Sequence, residues 1–317
     1  VLTAPAAADR VLTPVGATPK LGRTVIVKAT DGRVTVKPRG HKRFTLTRHA
    51  TAIPVRSLVD TTHGKVKLTS AKPKGGTQNG IFSEGAFVVT QRKSDGLTDL
   101  TLSGGDFSAC NKATSAGAGV TDAKRNRRRR LFGRAHGHFR SRGRSSSATV
   151  KGTDWLTEDR CDGTLTKNKS TNPKSKVDTA TQDRLHFELD PGQTITYYCN
   201  VLAITPSTYC LILLAQPADG IIAGGILTTV QTPDYDLCVQ APDGSQGCDR
   251  NIPLTQPDEK GFRQAVFACP VRQVGRYVFA WSLDHQNLLY PSLALTLSKE
   301  GPNVDCQFDP PRPAATA

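Results

Sequence analysis

Short runs of alternating apolar and polar residues constrain this chain more than any other feature. TVIVKA, RVTVK, RFTLT, GKVKLTS, GAFVVTQR and LTDLTLSG succeed one another, each bounded by Gly, Pro, Asp or Ser. Val, Thr and Phe dominate them, as a half-buried pleated strand prefers. Their spacing of roughly ten residues points to an all-β chain. TVIVKA and RVTVK, separated by Asp31-Gly32, read as a hairpin. Later runs continue the pattern: HFRSRG, SATVKGTDWLTED, GTLTKN, LHFELDPGQTITYYC, YDLCVQAPDGSQGC, FRQAVFACP, GRYVFAWSLD and PSLALTL. The 28 glycines, 20 prolines and absence of methionine fit short strands and many turns.

Charge divides the 317 residues in two. Residues 1–176 hold 34 Lys+Arg against 12 Asp+Glu, a net +22. Residues 177–317 hold 8 against 15, a net −7, and together they give the chain's +15. This asymmetry predicts two modules with different surfaces. We expect a flexible or strand-donating arm at 1–20, a basic β domain at 21–170 with a basic loop at 111–135, and a linker at 171–176. An acidic β-sandwich or jelly roll would follow at 177–300, and a tail at 301–317.

Eight cysteines without a CxxC pair predict disulfides and an oxidising compartment rather than zinc or redox motifs. Cys238 and Cys248 flank the turn-rich APDGSQG and should close a hairpin. Cys110 and Cys161 are alone in the basic half and should pair with each other. The partners among Cys199, Cys210, Cys269 and Cys306 stay open. The most apolar stretch, YCLILLAQPADGIIAGGIL, is broken by Pro217 and Asp219 and falls short of the ~18 apolar residues of a spanning helix. VLTAPAAADR at the start is similar to the end of a secretory signal.

The arginine run is the sharpest candidate site. Arg125, Arg127, Arg128, Arg129, Arg130, Arg134, Arg140, Arg142 and Arg144 could contact a polyanion or a second subunit. Only Phe132 and Phe139 interleave as aromatics, and no helix-turn-helix, zinc finger or RNP motif accompanies them, so nucleic acid is the disfavoured partner. An anionic wall polymer, a lipid surface or another copy of the chain fits better. His136 and His138 lack further ligands nearby, so no metal is expected. Asp154, Glu158, Asp159 and Asp162 match no calcium loop and read as strand-face ion pairs. Ser145, Ser146 and Ser147 sit in no nucleophile elbow. Asp284-His285 is the nearest approach to a triad, with a loop as the simpler reading. No active site and no cofactor are expected.

SRGRSSSATVKGTDWLTEDRCDGTLT resembles the FecR-like domain. A small-residue strand leads into Val150, Lys151, Gly152 and Thr153, followed by the aromatic strand at Trp155 and the turn at Asp162-Gly163. AIPVRSLVDTTHGKVKLTSA is similar to that family's earlier strand pair. The resemblance covers about residues 24–170 and extends to FecR-like modules of secreted actinobacterial surface proteins, which implies an exported, non-enzymatic, self-assembling or binding protein. FecR itself is a regulator that relays a signal to a membrane partner, so a signalling module is the alternative. The family's closing Gly-x-Val-x-Val strand is replaced here by NKSTNPKSK. Residues 177–299 more faintly resemble the pre-peptidase C-terminal β-sandwich of secreted bacterial proteins.

Overall fold

A computed structural model describes residues 18–107, 110, 128–181, 183–201, 207–216, 220–289, 292–297, 299–302 and 306–310. The named elements among the described residues are all strands. The first seven are β1 (Thr24–Lys37), β2 (Phe44–Leu46), β3 (Thr51–Pro54), β4 (Leu58–Ala71), β5 (Thr77–Ser83), β6 (Ala86–Gln91) and β7 (Thr98–Ser103). β8 (Arg129–Arg142), β9 (Ser147–Arg160) and β10 (Gly163–Asn168) follow. Next come β11 (Val177–Thr181), β12 (Leu185–Leu189), β13 (Thr194–Val201), β14 (Thr208–Gln216) and β15 (Ile221–Thr228). The last are β16 (Asp234–Gln240), β17 (Gln246–Pro253), β18 (Arg263–Pro270), β19 (Gly275–Ser282), β20 (Leu293–Leu297) and β21 (Gln307–Asp309).

Five strands close on themselves. β4 pairs β5, β5 pairs β8, β8 pairs β7 in parallel, β7 pairs β6, and β6 returns to the other end of β4. Inside this barrel-like ring Phe82 meets Phe87, Phe139 and Trp155, with ring centroids 5.8, 5.6 and 6.1 Å apart. Four fully buried rings fill it, in the offset and edge-on contacts that aromatic quadrupoles favour.

Asp31-Gly32 is not a hairpin turn. β1 runs through it as one strand paired along most of its length with β4, and the pairing shifts register between Ala29 and Asp31. Gly32 has φ +58° and faces Gly64 across the ladder. A Cβ on Gly32 would lie 2.2 Å from the His63 carbonyl oxygen, so two facing glycines are what this bulge accepts.

Of the basic loop expected at 111–135, residues 111–127 lie outside the described residues, and 129–135 are strand instead. From Arg129 the chain is strand, paired over its length with β9. Its inward set is Leu131, Gly133, Ala135, then Phe139 and Ser141 after a bulge between His136 and Phe139. That face is small because Trp155 occupies the room opposite. A Cβ on Gly133 would fall 2.6 Å from the Trp155 ring, and Trp155 Nε1–H donates to Ser141 Oγ at 2.8 Å.

Residues 171–176 are a turn-bearing connection, and the sheet continues beyond them. β9 pairs β11, and β10 pairs β13. Val177, Leu189 and Ile195 share one core with Trp155 and Val25. β13, β14, β15, β18 and β21 extend this sheet, and β17-β16-β19-β20 forms a second. A second core lies between the two, around Tyr235, Phe267, Phe279 and Trp281.

The apolar stretch at 209–227 becomes the hairpin β14–β15, the wall between the cores. Cys210, Ile212 and Leu214 face the first core, and Tyr209, Leu211 and Leu213 the second. A strand buried on both faces reads as an unbroken apolar run. No helix among the described residues is long and apolar enough to cross a membrane.

All eight cysteines are bridged. Cys110–Cys161 and Cys238–Cys248 form as expected. The remaining four pair as Cys199–Cys210 and Cys269–Cys306. Cys199 faces Cys210 and Cys238 faces Cys248 directly across their ladders, with Cα atoms 4.1 and 4.0 Å apart. Four disulfides fit an oxidising environment.

Candidate functional site

The arginines of β8 are consumed within the protein. Arg129 Nε donates to Asp159 Oδ2 at 2.8 Å, and that carboxylate is fully buried. Arg130 pairs with Glu84 at 2.9 Å. Arg134 holds Asp154 with two nitrogens, at 2.9 and 2.7 Å. Arg140 grips Asp99 through Nε at 2.5 Å and Nη2 at 3.0 Å, both side chains being mostly buried. Arg142 shares Asp99 at 3.1 Å. Arg144 lies over the Phe107 ring, 4.9 Å from its centroid. Arg128 is exposed and makes no ion pair among the described residues. Arg125 and Arg127 lie outside the described residues. Five of the nine candidate arginines therefore carry carboxylate partners, including the expected pairs of Asp154 and Asp159, and present little free charge to an outside polyanion.

Uncompensated charge collects elsewhere. Three loop or bulge segments meet at one end of the barrel: the β4–β5 turn AKPKGG, the β6–β7 turn and the β8 bulge. They enclose a cleft of about 510 Å³ lined by Lys72, Lys74, Gln78, Asp95, His138 and Lys151. Lys72, Lys74 and Lys151 make no ion pairs among the described residues. Asp95 is held by Arg92, whose Nε donates to it at 2.8 Å, and that interaction keeps its carboxyl well below the usual carboxylate range. Burial pushes the His138 imidazole below its ordinary pKa. Lys151, Arg92 and Arg140 act in the same direction, and Asp95 opposes them. The cleft thus favours the neutral imidazole of His138, and its unpaired cations are the lysines.

The cleft floor is rigid. Gln78 is buried, its Nε2 donating to the Gly96 carbonyl at 2.8 Å and its Oε1 accepting from His138 N–H at 2.9 Å. Gln91 Nε2 donates to the Ala71 carbonyl at 2.7 Å. Two buried amides thus tie the three segments together, and each contributes only while its partners are held. Gly137 has φ +130°, and a Cβ there would come 2.5 Å from Gln78 Cβ.

The residues of the 150–155 stretch divide between core and cleft. Val150, Thr153 and Trp155 point inward and are buried, whereas Lys151 and Gly152 are exposed. In the sequence Lys151 stands out as part of the VKGT motif and His138 as half of a His-Gly-His pair. Lys72 and Lys74 had not, although paired lysines beside Gly75-Gly76 mark a solvent-facing turn.

Other candidates have local duties. His285 is not partnered by Asp284, which instead accepts from the Gln286 and Asn287 backbone N–H groups. Its two ring nitrogens lie 2.9 Å from Asp234 and 2.9 Å from Asp236. With both nitrogens engaged, the imidazole clamps the loop after β19 to β16. Its hydrogen bond to Asp236 raises its pKa above the ordinary 6.5. Among the described residues no three His, Cys, Asp or Glu side chains are grouped to hold a metal ion.

No family model, curated protein or solved structure matches this chain.

Proposed function

We propose that this chain is an exported, non-enzymatic protein of the cell envelope or extracellular space that holds an anionic polymer in the lysine-lined cleft. The observation that carries the reading is the convergence of Lys72, Lys74 and Lys151 on one rigid, concave surface while the arginines beside them are matched to carboxylates. Concave, low-dielectric surroundings strengthen a field of one sign. In this reading the N-terminal part is a FecR-like β domain, and the sheets around the second core form an appended β-sandwich stapled by disulfides.

A polymer is favoured over a lipid surface because, among the described residues, the large exposed apolar side chains Ile81, Val274 and Leu288 are far apart in sequence and gather on no common element. Self-assembly through basic and acidic surfaces has less support. Many carboxylates of the acidic half are already engaged, with Lys176, Arg184, His186 and His285.

The test is fluorescence anisotropy of labelled long-chain inorganic polyphosphate titrated with the full chain. Lys72→Ser/Lys74→Ser/Lys151→Ser should weaken binding at least ~10-fold, corresponding to about 1.4 kcal/mol. Equal binding by parent and triple variant would sink the reading.

A further inference from the structure

The turn between β8 and β9 holds a second recess, independent of the cleft. Gly143 N–H donates to the Ser146 carbonyl at 2.9 Å and closes the turn. Beneath it nearly everything is anchored. Arg144 N–H donates to Asp159 Oδ1 at 2.8 Å, and Ser145 N–H to Thr164 Oγ1 at 2.9 Å. Ser145 Oγ accepts from Cys199 N–H at 3.1 Å, and its carbonyl accepts from Thr181 Oγ1 at 2.9 Å. Gly143 lets the turn sit this low, since a Cβ there would lie 2.4 Å from Asp159 Oδ1.

Ser146 is the exception. It is 7% exposed, and its Oγ has no hydrogen-bond partner. A buried hydroxyl without a partner costs free energy and calls for an explanation. Ser146 lines a recess of about 190 Å³ together with Arg142, Arg144, Ser147 and Asp183. At ~30 Å³ per water in the liquid, that is room for about six waters, or one tetrahedral group and part of its hydration.

The charge around the recess is positive. Arg140 and Arg142 share Asp99 and Asp183, and Arg144 adds a third guanidinium with no carboxylate ion-paired to it among the described residues. Three guanidiniums thus stand against two carboxylates. Guanidinium forks and a serine hydroxyl are the donors that a tetrahedral oxyanion accepts from best.

We infer that the β8–β9 turn is a binding site for a single phosphate or sulfate group, with Ser146 Oγ–H and the Arg144 guanidinium as its donors. The anchored backbone fixes the turn before the anion arrives, and the Phe107 ring lies under the Arg144 guanidinium, which limits the ordering cost of binding.

Isothermal titration calorimetry on the full, disulfide-bonded chain tests this, using sodium phosphate, sodium sulfate and methyl phosphate against sodium chloride at matched ionic strength. The site predicts saturable one-site binding of phosphate or sulfate and none of chloride. Methyl phosphate binding as tightly as phosphate would assign the site to an esterified group on a larger molecule; binding of the free ions alone would assign it to a free oxyanion. Ser146→Ala should weaken binding about tenfold, and Arg144→Gln should abolish it. Lys72→Ser/Lys74→Ser/Lys151→Ser should leave it unchanged, which separates this site from the cleft. Thermal unfolding in chloride is the folding control: Ser146→Ala should match or exceed the parent, because it removes a buried oxygen that has no partner. Absence of saturable binding, an isotherm unaltered by Ser146→Ala, or a lower midpoint for that variant in chloride would each overturn the assignment.

Discussion

Arg129→Ala should destabilise the first core by about 3 kcal/mol, the lower end of the range for breaking a buried ion pair. The magnitude follows from what is left behind. Asp159 is fully buried and would lose the charge that Arg129 Nε brings to 2.8 Å. It would keep the Arg144 N–H at 2.8 Å and the Thr164 hydroxyl at 2.5 Å, which soften the loss. Arg129 Nη1 also donates to the Gly104 carbonyl at 2.9 Å, so a single variant mixes several effects. A double-mutant cycle with Asp159→Asn isolates the pair and should give a coupling of about 2 kcal/mol. Arg130→Ala is the internal comparison. It removes a pair with Glu84 in which both side chains are over 40% exposed, and such a pair contributes about 0–1 kcal/mol. The assay is guanidinium chloride unfolding without reductant, in a Trp281→Phe background so that fluorescence reports Trp155 in the first core. Equal losses for Arg129→Ala and Arg130→Ala, or a coupling near zero, would refute the claim that the arginine run is built into the fold.

Two further outcomes follow from the second core and the wall. His285 has a raised pKa, so its clamp stabilises fully below pH ~6.5 and loses its contribution as pH rises through the folded-state value. The difference in melting temperature between the parent and His285→Gln should therefore be larger at pH 5.5 than at pH 8.5, and a difference independent of pH would contradict the clamp. Ile212→Ala and Leu213→Ala, adjacent on β14, should each cost about 2–5 kcal/mol. In the 5-fluorotryptophan-labelled protein, the ¹⁹F resonance of Trp155 should respond more to the first, and that of Trp281 to the second.

How far the sequence exposed this structure depended on which signal each strand carries. Strands with one wet face, such as β6, β7 and β18, show their alternation openly. β14 and β15 do not, because both faces are buried and the alternation disappears. β8 hides for the opposite reason. Between Leu131 and Phe139 its inner face is Gly133 and Ala135, small residues that make room for Trp155, so the arginines dominate what is read. The Asp31-Gly32 pair is a turn signal by composition, but its meaning depends on Gly64, 32 residues away and invisible to local pattern. Two disulfides were legible from turn chemistry and charge partition. The other two depended on which strands pair, which spacing does not encode. The cleft was legible only in pieces. Lys151 and His138 sit on two neighbouring strands, and the bulge between His136 and Phe139 is what brings His138 beside the AKPKGG turn.

In the proposed function, the charge free to meet an anionic polymer belongs to the cleft lysines rather than to the arginines of β8. The most direct test is the salt dependence of polyphosphate binding by the full chain, compared with Lys72→Ser/Lys74→Ser/Lys151→Ser and with Arg130→Ser. Each lysine that neutralises a phosphate on a flexible chain contributes about 0.7 to the slope of log K against log salt. The account predicts a slope shallower by about 2 in the lysine variant and little changed in Arg130→Ser. A slope unchanged in the lysine variant, or reduced as much by Arg130→Ser, would contradict it.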